Sequence, residues 1–219
     1  MISDVAREPL ENLRVLDLAC LEGLYAIELA RHGANVVGIE IREANIEKAR
    51  FAKNILSLNN LEFFQDDVRN LSKEKYGHFD LVLCLGILYH LDVPDVFSFL
   101  ERIADVCLKF AIIDTHVSIA PERLYTHRGR KYWGRTYREH KANSTAEKRS
   151  KALWASLDNL TSFWFTRPSL YNVLAHVGFT SVYETHNPPD LNKPYDRITL
   201  LAMKGQRETL ISAPFVNSL

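Results

Sequence analysis

Cysteine is scarce in these 219 residues: Cys20, Cys84 and Cys107 are all there is, and no two share a CxxC spacing. So few and scattered thiols make neither a zinc framework nor a disulfide scaffold, and they predict reduced cysteines in a cytoplasmic protein. Net charge is also missing, with 27 Lys and Arg against 27 Asp and Glu. That balance argues against a uniformly basic nucleic-acid binder and against a membrane-surface protein. No stretch approaches the roughly 18 to 20 apolar residues of a membrane span, and charges interrupt residues 1–9, so a soluble intracellular chain is expected. Internal repeats and low-complexity segments are absent from the sequence as well. What is present is 47% hydrophobic and 25% charged residues, enough to bury a core as a single domain over 1–219.

Short apolar runs rich in branched residues occur at 13–18 (LRVLDL), 35–40 (NVVGIE), 61–65 (LEFFQ), 79–85 (FDLVLCL) and 108–115 (LKFAIIDT). Near-continuous apolar runs suit parallel strands covered on both faces. Helical patterns lie between them. One spans 24–32 and stops at Gly33, and another follows Asn45 with Ile46, Ala49, Ala52 and Leu56 on one face. Asp92 is predicted to N-cap a third, with Pro94 in its first turn and Val96, Leu100, Ile103 and Cys107 as its buried stripe. The alternation predicts a doubly wound α/β fold. After Thr115 the rhythm fails for about fifty residues. It resumes with a helix over 166–178 and two closing strands, 180–185 and 197–203, joined by a turn at Asn187-Pro188-Pro189.

Asp17 sits near the carboxyl end of the first strand, and Gly23 opens the following helix. Glu40 ends the second strand, where a carboxylate accepts hydrogen bonds from both ribose hydroxyls of an adenosine group. Gln65-Asp66-Asp67-Val68 ends the third, and the fourth runs into Cys84-Leu85-Gly86-Ile87-Leu88-Tyr89-His90-Leu91. Any one of these acids reads equally well as a helix cap or turn residue. Acids at three successive strand ends do not.

On these residues the segment 13–115 resembles a class I S-adenosylmethionine-dependent methyltransferase, with that family's four cofactor elements in order. The resemblance implies a Rossmann-like, seven-stranded, mostly parallel sheet with helices on both faces and a helical or irregular insertion after strand five. It further implies that Asp17 to Gly23, including Ala19 and Cys20, form the loop under the methionine part. Glu40 is then the ribose-binding acid, Asp67 with the Val68 backbone meets the adenine, and Leu85 and Gly86 lie beside the methionine carboxylate and sulfonium. Tyr89 and His90 face the substrate. The sequence departs from the family's glycine-rich loop at Ala19 and Leu21, which take the first two glycine positions. The same departures argue against a nicotinamide dehydrogenase, whose fingerprint needs those glycines.

Between residues 121 and 151 ten Lys or Arg face three acids, a net charge of +7, so the rest of the chain carries −7. The family's topology places an insertion here, over 116–165, above the cofactor's reactive end. Tyr125, Arg128, Tyr132, Trp133 and Arg135 are therefore the expected acceptor-binding residues, Arg offering forked donors and the rings stacking surfaces. The plainer alternative is a solvated charged hairpin whose tyrosines pack on the domain. The 125-128-132-135 spacing is helix-like, but Gly129 and Gly134 interrupt it.

Methyl transfer needs an aligned lone pair and, for a hydroxyl, a base. His90 and His116 follow strands four and five, and Tyr89 is placed to orient the acceptor. Residues 162–170 (SFWFTRPSL) and 85–90 (LGILYH) are distantly similar to tRNA wobble-uridine carboxymethyltransferases, which use a carboxylated cofactor. Their carboxylate-binding cations have no match here, so plain methyl transfer is expected, and Phe163-Trp164-Phe165 reads as core. Three functions follow from these residues. The first is methyl transfer to an oxygen or nitrogen of a polar or anionic small molecule. The second is an RNA (tRNA)-modifying methyltransferase gripping phosphates with the basic insertion. The third is a non-catalytic S-adenosylmethionine-binding protein, which the degenerate loop allows.

Overall fold

The computed structural model describes residues 2–185 and 195–205. The chain opens with α1 (Ile2–Ala6), then alternates β1 (Arg14–Leu18), α2 (Leu24–Arg31), β2 (Asn35–Glu40), α3 (Glu43–Ile55), β3 (Leu61–Gln65), α4 (Lys73–Tyr76), β4 (Phe79–Leu85), α5 (Asp95–Val106) and β5 (Cys107–His116). A second group follows: β6 (Arg123–His127), β7 (Arg130–Arg138), α6 (Ala146–Lys151) and β8 (Thr161–Phe165). The main fold then closes with α7 (Arg167–His176), β9 (Ser181–Glu184) and β10 (Arg197–Met203).

Seven strands form one sheet in the order β3-β2-β1-β4-β5-β10-β9. All pairs are parallel except those of β10, which runs antiparallel to β5 and β9. The apolar runs bury because both faces are covered. Leu16, Leu18, Ile39, Val82 and Leu100 belong to one core, and Val15, Val36, Ala26, Ile46 and Phe110 to the other. The strand order reverses between β1 and β4, and there the carboxyl ends of the parallel strands open a crevice.

The expected helical or irregular insertion also contains strands: much of it is irregular or belongs to the short α6, and three stretches are extended. β6, β7 and β8 make a separate three-stranded antiparallel sheet, and α6 is its one α-helix. Arg128 and Gly129, both with left-handed φ (47° and 75°), form the two-residue turn of the β6–β7 hairpin. Tyr125 and Tyr132, apparent helix neighbours in the sequence, are directly opposed across that hairpin. Gly134 is required for the sheet itself, since a Cβ there would stand 2.4 Å from the Trp164 carbonyl oxygen.

Two smaller expectations also change. The Asp92 side chain does not cap α5. It accepts from the Val93 N–H (2.7 Å) and Thr161 Oγ1 (2.5 Å), so it ties β8 to the core. Cys107 begins β5 rather than ending the helix, because extended backbone starts there (ψ 127°). The Asn187-Pro188-Pro189 turn lies outside the described residues.

Phe97, fully buried on α5, joins the small sheet to the large one. Its ring centroid lies 4.6 to 5.3 Å from the rings of His127, Tyr132, Phe165 and Tyr125. Truncating such a side chain removes transfer energy and leaves a cavity. Phe97→Ala is expected to cost about 3–5 kcal/mol of stability, measured by denaturant unfolding.

Candidate active site

A cavity of about 710 Å³ lies at the carboxyl ends of the parallel strands. Its walls include Ala19 and Leu21 from the β1–α2 loop, Glu40 and Arg42 after β2, and Asp67 and Val68 after β3. Leu85, Gly86, Tyr89 and His90 follow β4, and Asp114 and Arg197 come from β5 and β10.

The β1–α2 loop keeps a glycine-type backbone without the glycines. Ala19 and Leu21 both hold positive φ (53° and 49°), a conformation that costs an L-residue about 1–2 kcal/mol. Hydrogen bonds fix it: the Cys20 N–H donates to the Ile39 carbonyl at 3.0 Å, and the Leu21 N–H donates to Glu40 Oε2 at 3.0 Å. Glu40 Oε1 accepts from the Arg42 N–H at 2.8 Å. The carboxylate is buried yet lines the cavity, and each oxygen has a second lone pair for a hydroxyl. Gly23 takes φ 84° at the start of α2, and a Cβ there would meet the Phe63 ring at 2.6 Å. Its role is therefore packing. Cys20 and Asp17 also lie behind the wall: the Cys20 Sγ packs against Gly38, and Asp17 Oδ2 accepts from the Ala26 N–H at 3.2 Å.

At the β3 end the two neighbouring acids diverge. Asp66 turns to Asn70, Lys75 and Tyr76; these bonds outweigh its partial burial and hold its carboxyl at about 2. Asp67 lines the cavity and is engaged by Arg69 Nε at 3.0 Å and Nη2 at 2.6 Å. Gly86, with φ 89°, has a clear approach: a Cβ built there meets nothing nearer than Tyr89 Oη and Arg197 Nη2, both at 3.7 Å, so its absence leaves room for a ligand. An adenosine-bearing sulfonium cofactor fits this set, with hydroxyl acceptors at Glu40, apolar walls at Leu21, Ile41 and Val68, and open backbone at Gly86.

After β4, His90 sits on a 3₁₀ turn, Leu88–His90, and lines the cavity. Its Nδ1 lies 3.0 Å from Glu139 Oε2. Glu139, at the end of the small sheet, was not legible as a site residue, since nothing local in the sequence pairs it with a histidine 49 positions away. Tyr89 lies beside His90, and burial raises its phenol above the usual range, so it stays protonated at neutral pH. His116 does not line the cavity. It stacks on Trp164 (4.7 Å) and pairs with Asp196 at 2.9 Å.

The five insertion residues expected to hold the acceptor stand outside the cavity wall. Tyr125 and Tyr132 pack on Phe97, Arg128 pairs with Glu101, Trp133 lies half exposed, and Arg135 covers the Trp164 ring at 4.2 Å. The part of the insertion that does cover the cavity is 153–158, including the 82% exposed Trp154. Arg42 holds this segment through the carbonyls of Ser150, Ala152 and Ala155, and Arg69 through Asp158 at 2.6 Å. No charge run or apolar pattern marks it in the sequence, because main-chain carbonyls do most of the binding.

Residues 15–109 match a family model described as a methyltransferase domain. A ubiquinone biosynthesis O-methyltransferase of Acinetobacter baylyi is 36% identical over 92 residues, 42% of this chain and 38% of that protein. The chain thus spans well under half the length of the curated relatives it matches. The N-terminal domain of EvdMO1, solved with SAH and D-fucose, is 27% identical with a TM-score of 0.73, covering 93% of this chain and 82% of that one. The magnesium protoporphyrin IX methyltransferase of Synechocystis PCC 6803, solved with bound SAM, shares the fold at 22% identity and a TM-score of 0.56, covering 90% of this chain and 72% of that one. Residues 15–109 thus resemble a methyltransferase domain, and the fold is that of class I S-adenosylmethionine-dependent methyltransferases, of which similar structures were solved with SAH or SAM.

Burial raises the Asp17 carboxyl from 3.8 to about 7, with the Ala26 N–H opposing and Glu40 adding to the shift. The folded chain therefore holds a proton that the unfolded chain releases, and stability falls as pH rises from about 4 to 7. Asp17→Asn removes this component, and the thermal midpoint of the variant is expected to fall less than that of the wild type over the same window.

Proposed function

We propose that the protein transfers a methyl group from S-adenosylmethionine to a hydroxyl oxygen of a small polar acceptor, with His90 as the base. The observation that carries this reading is one cavity lined by Glu40, Val68 and Gly86 together with His90. The cofactor supplies an electrophilic methyl on a sulfonium. Glu40 binds the ribose hydroxyls, Asp67 and the Val68 backbone flank the adenine, and Leu85 and Gly86 border the reacting end. His90 Nε2 takes the acceptor's proton as the oxygen–carbon bond forms, and the Tyr89 hydroxyl orients the acceptor.

Oxygen is favoured over nitrogen by the relatives, named as O-methyltransferases, and by a neighbour crystallised with a hydroxylated sugar. A hydroxylated rather than strongly anionic acceptor is supported by Arg197, whose Nε donates to Asp114 at 2.6 Å, so its charge is matched within the wall. Arg123, Arg128 and Arg135 face Asp92, Glu101 and Asp196, which supports a small acceptor over RNA. Among the described residues no helix is long and apolar enough to cross a membrane, and three buried free cysteines agree with a cytoplasmic setting.

Turnover is followed as S-adenosylhomocysteine release with a panel of hydroxylated acceptors that includes D-fucose and catechol. His90→Gln is expected to lower kcat by about 10²–10⁴-fold while S-adenosylhomocysteine affinity stays within roughly threefold. Unchanged turnover removes His90 as the base. In calorimetry, Glu40→Ala is expected to weaken S-adenosylhomocysteine by about tenfold or more, the size of a charge-assisted hydrogen bond. Unchanged affinity removes Glu40 from the ribose site.

A further inference from the structure

The carboxylate of Glu139 sits at the centre of a closed hydrogen-bond set. Its side chain is 1% exposed, and it directly follows β7, within the insertion and outside the main sheet. His90 Nδ1 lies 3.1 and 3.0 Å from its two oxygens, the Ser162 hydroxyl donates to Oε1 at 2.7 Å, and the Ser156 N–H donates to Oε2 at 3.0 Å. Burial alone would raise this carboxyl, but the bonds from His90, Ser156 and Ser162 outweigh it and hold the group below its ordinary value. A carboxylate is acceptor-only, so the Nδ1 facing it must carry the imidazole proton.

We infer that Glu139 is a positioning residue that holds His90 as the Nδ1–H tautomer with Nε2 open to the acceptor, and that it couples this orientation to the seating of residues 153–158. The inference rests on His90 as the base. Three observations join here. Nδ1 is occupied by the carboxylate, which leaves Nε2 as the nitrogen with a lone pair on a residue lining the cavity. The same carboxylate binds the backbone N–H of Ser156, and His140 Nε2 approaches the Ser156 carbonyl at 2.6 Å, so the covering segment is held through both backbone polar groups of one residue. Asn159 Nδ2 donates to the His90 carbonyl at 3.2 Å, a second tie between that segment and the turn bearing the base. In the reaction the acceptor's O–H proton passes to Nε2 as the new O–C bond forms and the C–S bond breaks. The electron pair of the C–S bond leaves with sulfur. Glu139 keeps its charge and balances the imidazolium without taking the proton.

The test uses the full chain with S-adenosylhomocysteine at pH 8 and long-range ¹H–¹⁵N NMR of the histidine rings, with backbone amide exchange at Ser156. In the wild type His90 is expected to carry its proton on Nδ1. In Glu139→Ala the Nε2–H tautomer is expected to become a major species and Ser156 exchange to quicken by about tenfold, the factor for losing one charge-assisted bond. S-adenosylhomocysteine affinity should remain within roughly threefold, and Glu139→Asp should restore part of both signals. A wild-type His90 protonated on Nε2 overturns the inference, as does Glu139→Ala with tautomer and exchange unchanged. If Glu139→Ala fails to fold, the wild-type tautomer and Glu139→Asp decide it. Because the tautomer is read without turnover, failure here is distinct from failure of His90 as the base.

Discussion

The ring of Phe97 is the pivot on which the upper half of the molecule depends. It is buried on a core helix and takes the hairpin rings of Tyr125, His127 and Tyr132 together with Phe165 of the third small-sheet strand. Once that contact is made, the end of β7 falls beside the turn after β4, and the segment between the small-sheet strands crosses the cavity. Surface ion pairs between insertion and core, such as Arg128 with Glu101, contribute little each. They nevertheless account for part of the +7 and −7 split. Several cations of the insertion face acids of the core, so part of that imbalance reflects the insertion recognising its own domain.

A second constraint governs the cofactor loop. Ala19 and Leu21 adopt the left-handed conformation that glycine takes without penalty, and they are kept there by neighbours rather than by their own preference. The Glu40 carboxylate takes the Leu21 N–H from one side and the Arg42 N–H from the other, so one acid shapes two loops and still faces the cavity. A tertiary hydrogen bond thus replaces a local sequence signal, and the loop keeps its geometry after losing two glycines.

The family match ends near the start of β5. Glu139, the 153–158 segment and the Arg197–Asp114 pair come from the insertion and from the last strands of the sheet, the parts of the molecule where fold and reaction separate.

Hydrophobic periodicity made the main sheet legible, since strands buried on both faces must read as continuous apolar runs. The acids at the ends of β2 and β3 were legible because a strand end is a position in sequence as well as in space. The three-stranded insertion was not: the opposed Tyr125 and Tyr132 mimic a helical spacing, and only the left-handed Arg128-Gly129 turn and the Gly134 contact with Trp164 separate the two readings. Asp92 reads as a cap because it precedes a helix, but its side-chain partner in the fold is Thr161, 69 residues away. Local pattern alone sets a Rossmann-like core, the acids at its strand ends and the two histidines that follow β4 and β5; the cofactor enters through the resemblance those residues carry. Which histidine lines the cavity, and which carboxylate holds it, comes only from the folded chain, because Glu139 after β7 meets His90 after β4 across 49 residues of sequence.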